Sequence, residues 1–293
     1  MDEQSVRRRY GDRRDGRLLR SMSPVNRLIP YLIPRRADAS AFFSDSAEIG
    51  EAERWLQEKR KDGWQGLGLL HVFLAAYVRI LSQSPELNRF VSGGRFFARN
   101  GISVVLVGNR EHKSQVDDII VKLELDPTDT VFDVYHKLAA KSDGLRAGER
   151  SGLGRTVFNL ATLPSVALRP VLWFLKVLDW FGVLPYGLLV RSPFHGSVAI
   201  TALESAGARP FYHPLYPLGN LPLFLTIGAR RKAPERGPEG EETERVYLDF
   251  QGVFDSRVAD GYAWAAAMNR FREYLKHPRE LEGRPAMVRE DIF

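Results

Sequence analysis

The sequence predicts an α+β fold in which a mixed β-sheet carries helices on one face. Some segments repeat apolar residues at helical spacing and others alternate apolar with polar residues, so both kinds of element are expected. The two kinds do not alternate strictly along the chain, which argues against a doubly wound parallel sheet. With 293 residues, 44% of them hydrophobic, the chain is long enough to bury a sizeable core.

Residues 1–40 are predicted to form a basic extended arm, followed by a core domain over 41–280 and a tail over 281–293. Arginines crowd residues 7–20, and the three prolines that follow disfavour helix. Such an arm suits nucleic acid, anionic lipid or a neighbouring subunit. We favour the subunit and expect no nucleic-acid binding, because aromatic residues are scarce and no zinc-finger or helix-turn-helix pattern follows.

The first half of the core mixes strand and helix patterns. Residues 37–49 predict a strand, 51–61 a charged helix, and 67–81 a helix that is buried because it is apolar nearly all round. Asn100 and Gly101 predict a hairpin turn, since this dipeptide favours the positive φ angles of such turns. Residues 115–126 predict a strand, and a helix follows with Asp129 or Thr130 as its cap and this apolar face: Val131, Val134, Tyr135 and Leu138.

The apolar segment 163–190 predicts one or two helices, with Pro170 near a start and Gly182 near a stop. Charged residues interrupt it, so no uncharged run reaches the roughly 20 residues of a membrane-spanning helix. Three uses remain open: packing in the core or a trimer, which we favour, the lining of an acyl tunnel, or contact with a membrane surface.

The second half of the core predicts three strands and a closing helix. The strands fall within 196–207, 221–232 and 245–255, and the last two form a hairpin whose polar tip, 233–244, is expected to be mobile. The helix after residue 260 has an apolar face formed by Trp264, Ala267, Met268, Phe271 and Leu275.

The composition excludes several kinds of chemistry. The chain has no cysteine, so disulfides, thiolate metal sites and a cysteine nucleophile are excluded, and we expect a cytoplasmic protein. No metal is expected, because no two histidines share a helix at ligand spacing. Charge occupies the first 20 residues, so no signal peptide is expected.

Three stretches resemble one family: residues 73–108 with "SPELN", residues 196–228 with "AITAL" and "LFLTIG", and residues 254–275 with "FDSRVADG". They are similar to the catalytic domain of the dihydrolipoamide acyltransferases of 2-oxoacid dehydrogenase complexes, which shares the chloramphenicol acetyltransferase fold. The resemblance covers most of residues 15–280. It implies a trimer whose active sites lie between subunits, with coenzyme A and an acyl carrier entering from opposite sides.

The resemblance also implies site residues. The family motif reads "FDHRxxDG", and its histidine acts as general base on a thiol. Ser256 stands at the histidine position, and serine cannot take that proton near neutral pH. Asp260 matches the motif aspartate, and Thr201 lies in the strand whose hydroxyl helps to hold the oxyanion. An ordinary structural use is favoured in both cases: a helix cap for Asp260 and a plain strand position for Thr201.

His213 is the best candidate for a replacement base, because Tyr212 and Tyr216 flank it and a tyrosine hydroxyl can orient an imidazole. Simple packing at a subunit interface is the favoured alternative. His195 ranks second, and the remaining histidines are read as core or surface residues: His71, His112, His136 and His277.

Two functions are carried forward. The first is a coenzyme A-dependent acyltransferase with a non-standard active site, moving an acyl group to or from an unknown acceptor. The second is a catalytically inactive homologue that serves as a trimeric or cage-forming scaffold or as a binding module for a thioester ligand. We expect no lipoyl domain in the chain. An acyl-carrier or dehydrogenase-complex partner, and a peripheral membrane contact, are further expectations.

Overall fold

The computed structural model describes residues 9–112, 115–146, 162–236 and 242–291. Its strands are β1 (Gly16–Leu18), β2 (Ser40–Glu48), β3 (Arg89–Ser92), β4 (Arg95–Arg99), β5 (Ile102–His112), β6 (Gln115–Leu125), β7 (Val198–Ala202), β8 (Leu223–Arg236) and β9 (Glu242–Asp255). Its helices are α1 (Pro24–Leu32), α2 (Gly50–Lys61), α3 (Leu69–Gln83), α4 (Val131–Arg146), α5 (Ser165–Trp180), α6 (Tyr186–Arg191) and α7 (Gly261–Lys276).

The main sheet has six strands in the order β2-β9-β8-β7-β5-β6. Strand β7 runs parallel to both of its neighbours, β5 and β8, while the other pairs are antiparallel. A parallel pair needs a long crossover, and the chain between β5 and β7 includes β6, α4, α5 and α6. The prediction of a mixed sheet in an α+β fold is therefore confirmed.

The two faces of this sheet differ because side chains alternate along each strand. Leu223, Leu225 and Ile227 of β8 belong to the main hydrophobic core, which the sheet forms with α2, α3, α4 and α7. Phe224, between them in sequence, belongs to a smaller cluster on the second face. The prediction that helices lie on one face of the sheet is confirmed for the face that forms the main core. Helix α3, predicted to be buried, lies at its centre in contact with α2, α4 and α7.

The predicted hairpin at Asn100 and Gly101 is wrong, because the strands on either side of this dipeptide belong to different sheets. Strand β4 pairs with β1 and β3 in a three-stranded sheet, whereas β5 pairs with β6 and β7. The tight turn lies instead between β3 and β4, where Gly93 and Gly94 adopt φ angles of +57° and +71°. Both residues of this turn need positive φ, which glycine adopts without a steric penalty.

The predicted extended conformation of residues 1–40 is also wrong, because this segment contains β1 and α1. Pro24 occupies the first turn of α1, where a backbone N–H is not needed, and the Ser23 hydroxyl accepts a hydrogen bond from Asn26 N at 3.3 Å. The domain boundaries at residues 40 and 280 stay predictions.

The other elements follow the sequence closely. Segment 163–190 forms two helices, α5 and α6, and Gly182 adopts a φ of +73° just after α5. No helix among the described residues is long and apolar enough to cross a membrane. The predicted hairpin of β8 and β9 is present, and its strands reach further than expected. Of the tip predicted to be mobile, 233–244, residues 233–236 and 242–244 are paired strand residues, and 237–241 lie outside the described residues.

Replacing Phe250 with alanine tests the main core. Its side chain is fully buried and packs edge-on against Phe43, Phe73 and Phe271. We expect Phe250→Ala to lower the free energy of unfolding by about 3–5 kcal/mol through the cavity it leaves. Tyr262→Ala, at an exposed position on α7, is the matched control and should change it by less than about 0.5 kcal/mol. Urea unfolding measures both, and equal effects would contradict this account of the core.

Candidate active site

The motif turn, residues 252–261, joins the end of β9 to the start of α7. Ser256 is exposed, and its backbone N–H and its hydroxyl both donate to the carbonyl oxygen of Ala39, at 2.9 and 2.8 Å. The hydroxyl therefore fixes the turn to the residue before β2. Within the described ranges, no imidazole or carboxylate contacts the hydroxyl oxygen of Ser256, so nothing there activates Ser256 as a nucleophile.

Asp260 is the N-cap of α7. Its carboxylate accepts a hydrogen bond from Ala263 N at 2.8 Å, and the side chain is exposed. A carboxylate at this position satisfies a free N–H group and faces the positive end of the helix dipole. The geometry is that of the helix cap considered from the sequence.

Arg257 and Asp255 form a buried, two-pronged ion pair. Nε of Arg257 donates to Oδ1 of Asp255 at 2.8 Å, and Nη2 donates to Oδ2 at 2.7 Å. The remaining nitrogen, Nη1, donates to the carbonyl oxygens of Ile33 and Pro34 at 3.1 and 3.3 Å. The pair therefore connects the motif turn to the chain that follows α1.

Thr201 lies in β7, opposite Thr226 of β8, which is in turn opposite Gln251 of β9. Ser256 lies beyond the end of β9, roughly 16 Å from Gln251 along the strand direction. One chain therefore does not bring Thr201 and Ser256 together. Such a separation within a chain is what the resemblance implies, because the family places these two positions on adjoining subunits.

His213 lies flat on Phe224, with ring centroids 3.9 Å apart and ring planes within 10°. Its Nδ1 is 2.9 Å from the carbonyl oxygen of Pro214, and its Nε2 is 3.2 Å from the hydroxyl of Tyr216. A carbonyl can only accept, so Nδ1 carries the ring proton and Nε2 accepts from Tyr216. The predicted orientation by a tyrosine hydroxyl is present.

Tyr212 does not contact the imidazole in this way. Its ring meets Phe42 edge-on at 5.3 Å, so only one of the two flanking tyrosines meets His213. The difference follows from the local chain direction, since residues adjacent in an extended segment point to opposite sides. The prediction of an imidazole between two tyrosines is wrong in this respect.

His213 and Thr201 share the second face of the main sheet. Phe224, which carries the imidazole, and Thr226, which lies opposite Thr201, are two residues apart in β8 and so point to the same face. The Thr226 hydroxyl donates to Phe211 O at 2.5 Å and holds the loop that bears His213 against this face. The structure thus places an imidazole and a hydroxyl on one face of one chain.

A buried polar network lies beside the turn between β3 and β4. Arg13 donates to Asp15 through Nε at 2.9 Å, to Asp179 through Nη2 at 2.6 Å, and to Ser92 through Nη1 at 2.8 Å. Arg13 lies within the predicted basic arm, yet its side chain is almost fully buried. One feature of the sequence indicates this network: Asp179 is a lone acidic residue within an apolar helix.

His195, the second candidate base, belongs to this network. Its Nδ1 is 2.7 Å from the Ser192 hydroxyl, and its Nε2 is 3.3 Å from Oδ1 of Asp179. Burial lowers the pKa of His195 below 6.5, and this outweighs the opposing effect of Asp179. Burial alone would raise the pKa of Asp179, but His195 and Arg13 outweigh it and lower that pKa to about 2.

Two cavities are lined in part by basic side chains. One, of about 220 Å³, is lined by Arg36, Arg257, Lys176 and Trp180 among others. The other, of about 710 Å³, includes Arg14, Arg17 and Arg289 in its lining. Guanidinium groups at a cavity suit phosphate. Within the described ranges, no group of histidine, aspartate and glutamate side chains could hold a metal ion.

Known structures share this architecture. A dihydrolipoamide acetyltransferase from Azotobacter vinelandii superposes with a TM-score of 0.56 at 14% identity, covering 90% of this chain and 94% of that one. The cubic core of a pyruvate dehydrogenase multienzyme complex gives 0.51 at 14% identity, covering 90% and 94%. A chloramphenicol acetyltransferase gives 0.51 at 12% identity, covering 89% and 100%. The chain has the chloramphenicol acetyltransferase-like fold.

Identities this low establish the fold and not the activity. No protein-family profile matches the chain, and no curated protein sequence does. The predicted resemblance to the catalytic cores of the acyltransferases is confirmed at the level of structure.

Asp179→Asn tests the buried network. Removal of this charge leaves Arg13 buried with Asp15 as its remaining carboxylate, and we expect the free energy of unfolding to fall by about 3–5 kcal/mol at pH 7. Asp260→Asn is the matched control at the exposed helix cap, where we expect a loss below about 1 kcal/mol.

The same variant has a defined pH dependence. Because the folded-state pKa of Asp179 lies below 3.8, its stabilisation is complete above that pH and is lost as the pH falls toward about 2. The stability difference between wild type and Asp179→Asn, measured by urea unfolding, should therefore shrink between pH 4 and pH 2. A difference that grows on acidification would contradict the proposed ion pairing.

Proposed function

We propose that the protein transfers an acyl group between coenzyme A and an acceptor, with His213 in place of the missing motif histidine. The observation that carries this proposal is the hydrogen bonding of the imidazole. The Pro214 carbonyl holds the proton on Nδ1, so Nε2 keeps the lone pair that a general base requires. The named activities of the structural neighbours, which are acetyltransferases, support acyl transfer in general.

The side chains on the second sheet face have defined roles in this proposal. Nε2 of His213 accepts the proton of the attacking thiol and returns it to the departing one. The Tyr216 hydroxyl, which now donates to Nε2, turns aside to admit the thiol. The Thr201 hydroxyl donates to the oxygen of the acyl carbonyl as negative charge develops there. Phe224 holds the imidazole plane by stacking.

Coenzyme A carries phosphates, and the cavity of about 710 Å³ fits that requirement. Arg14 and Arg289 line it with exposed guanidinium groups, and no ion pair of either is present among the described residues. Asp12 and Glu290 also line this cavity, so its charge is mixed. Under the proposal, Arg14 and Arg289 bind the phosphates at this cavity.

Self-association completes the proposal. Phe42, Phe211 and Tyr212 are exposed on or beside the second sheet face, and large exposed aromatic groups favour a protein interface. One structural neighbour is the cubic core of a multienzyme complex. We therefore propose a cytoplasmic homotrimer, able to form a larger cage, that works with an acyl carrier or a dehydrogenase complex.

One observation favours the alternative, an inactive scaffold or thioester-binding module. Ser256 replaces the motif histidine, and both of its donor groups are committed to Ala39 O, so the motif turn has a purely structural hydrogen-bond pattern. Under this alternative, the protein assembles and binds a thioester ligand without turnover.

The test is thiol release from a panel of acyl-coenzyme A thioesters. We expect wild type to release thiol from at least one member, and His213→Gln to lower kcat/KM by about 100-fold or more, the usual effect of losing a general base. His277→Gln, at an exposed histidine after α7, is the matched control and should keep wild-type activity.

The outcomes separate the two functions. Calorimetric binding of an acyl-coenzyme A without thiol release would reject the transferase and support the binding module. Wild-type activity in His213→Gln would reject the assigned base. Activity that appears only in Ser256→His, which restores the motif histidine, would support the inactive homologue.

A further inference from the structure

Helix α5 carries a stripe of exposed apolar side chains. Val166, Trp173 and Trp180 are spaced seven residues apart and are 85%, 66% and 54% exposed. Seven residues are close to two helical turns, so these side chains lie along one side of the helix. Phe174 and Phe181 repeat the same spacing beside them and are also exposed.

The orientation of α5 is fixed by its opposite side. Asp179 is buried there and is bound by Arg13, so the helix cannot rotate its aromatic side chains inward without breaking that buried ion pair. The exposure of Trp173 and Trp180 is therefore a stable property of the fold.

Helix α1 extends the same surface. Its exposed apolar residues include Val25, Leu28 and Tyr31. The ends of α1 and α5 meet over the turn between β3 and β4: a Cβ added at Gly93 would lie 2.5 Å from the Trp180 carbonyl oxygen, and one added at Gly94 would lie 3.0 Å from the Tyr31 ring. We call the exposed apolar residues of these two helices the α1–α5 surface.

Among the described residues of α1 and α5, every exposed charge is positive. Helix α1 contains no acidic residue, and the only acid of α5 is the buried Asp179. Arg27, Arg169 and Lys176 are exposed on the two helices. Aromatic and aliphatic side chains interspersed with cations on the same two helices match an anionic lipid surface. The same face of a second copy would oppose cation to cation.

We propose that the α1–α5 surface docks on a lipid bilayer that contains anionic headgroups. The two helices lie in the plane of the interface, their aromatic side chains enter the headgroup region, and the basic side chains contact the lipid phosphates. This docking is independent of the acyl transfer proposed above.

Vesicle flotation tests the docking. We expect the full chain to float with vesicles of phosphatidylcholine and phosphatidylserine, and much less with phosphatidylcholine alone. The double variant Trp173→Ser/Phe174→Ser removes two exposed side chains and should weaken binding about tenfold or more. Tyr262→Ser, at an exposed aromatic residue of α7, is the matched control and should bind as wild type does.

Tryptophan fluorescence locates the contact. Trp173 and Trp180 are exposed, while Trp55 and Trp264 are buried, so a blue shift and quenching by brominated lipid should depend on the exposed pair. Absence of flotation with anionic vesicles, or flotation unchanged in Trp173→Ser/Phe174→Ser, would overturn the proposal. A smaller oligomer in that variant, measured by light scattering without any vesicle binding by wild type, would assign the surface to a second copy instead.

Discussion

The buried ion pair of Asp255 and Arg257 is the interaction on which the rest of the structure depends. Burial of two charges costs several kcal/mol for each ion, and only complete hydrogen bonding offsets that cost. Here both carboxylate oxygens face the guanidinium, and its third nitrogen reaches the backbone after α1. The ion pair consequently holds the end of β9 and the motif turn against Ile33 and Pro34, which follow α1.

These contacts explain how the motif turn forms with serine, and not histidine, at position 256. The turn is held by the ion pair, by the Asp260 cap and by the bonds of Ser256 to Ala39, none of which requires an imidazole. The fold of this turn therefore does not depend on an imidazole at position 256. The imidazole of His213 lies on the second face of the main sheet, where its Nε2 accepts a hydrogen bond from Tyr216.

Much of the fold was predictable because local pattern and tertiary burial agree. Helix α3 is apolar all round and is central, and the alternation in β8 separates the two sheet faces. The pairing of β4 was not predictable, since the choice of partner strand depends on distant contacts. The burial of Arg13 was not predictable for the same reason: its partner Asp179 is 166 residues away. At the site, the contact between Tyr216 and His213 was predictable because the two residues are close in sequence. Tyr212 is also close in sequence, but its ring contacts Phe42 instead.

The proposed function requires His213 as the general base, because Ser256 stands where the family motif has its histidine. A crystal structure with a thioether analogue of acetyl-coenzyme A tests it most directly, because the analogue keeps the sulfur and cannot turn over. We expect this sulfur to lie within about 3.5 Å of Nε2 of His213, with the Tyr216 hydroxyl displaced. A sulfur beside Ser256, with no histidine nitrogen in reach, would contradict it.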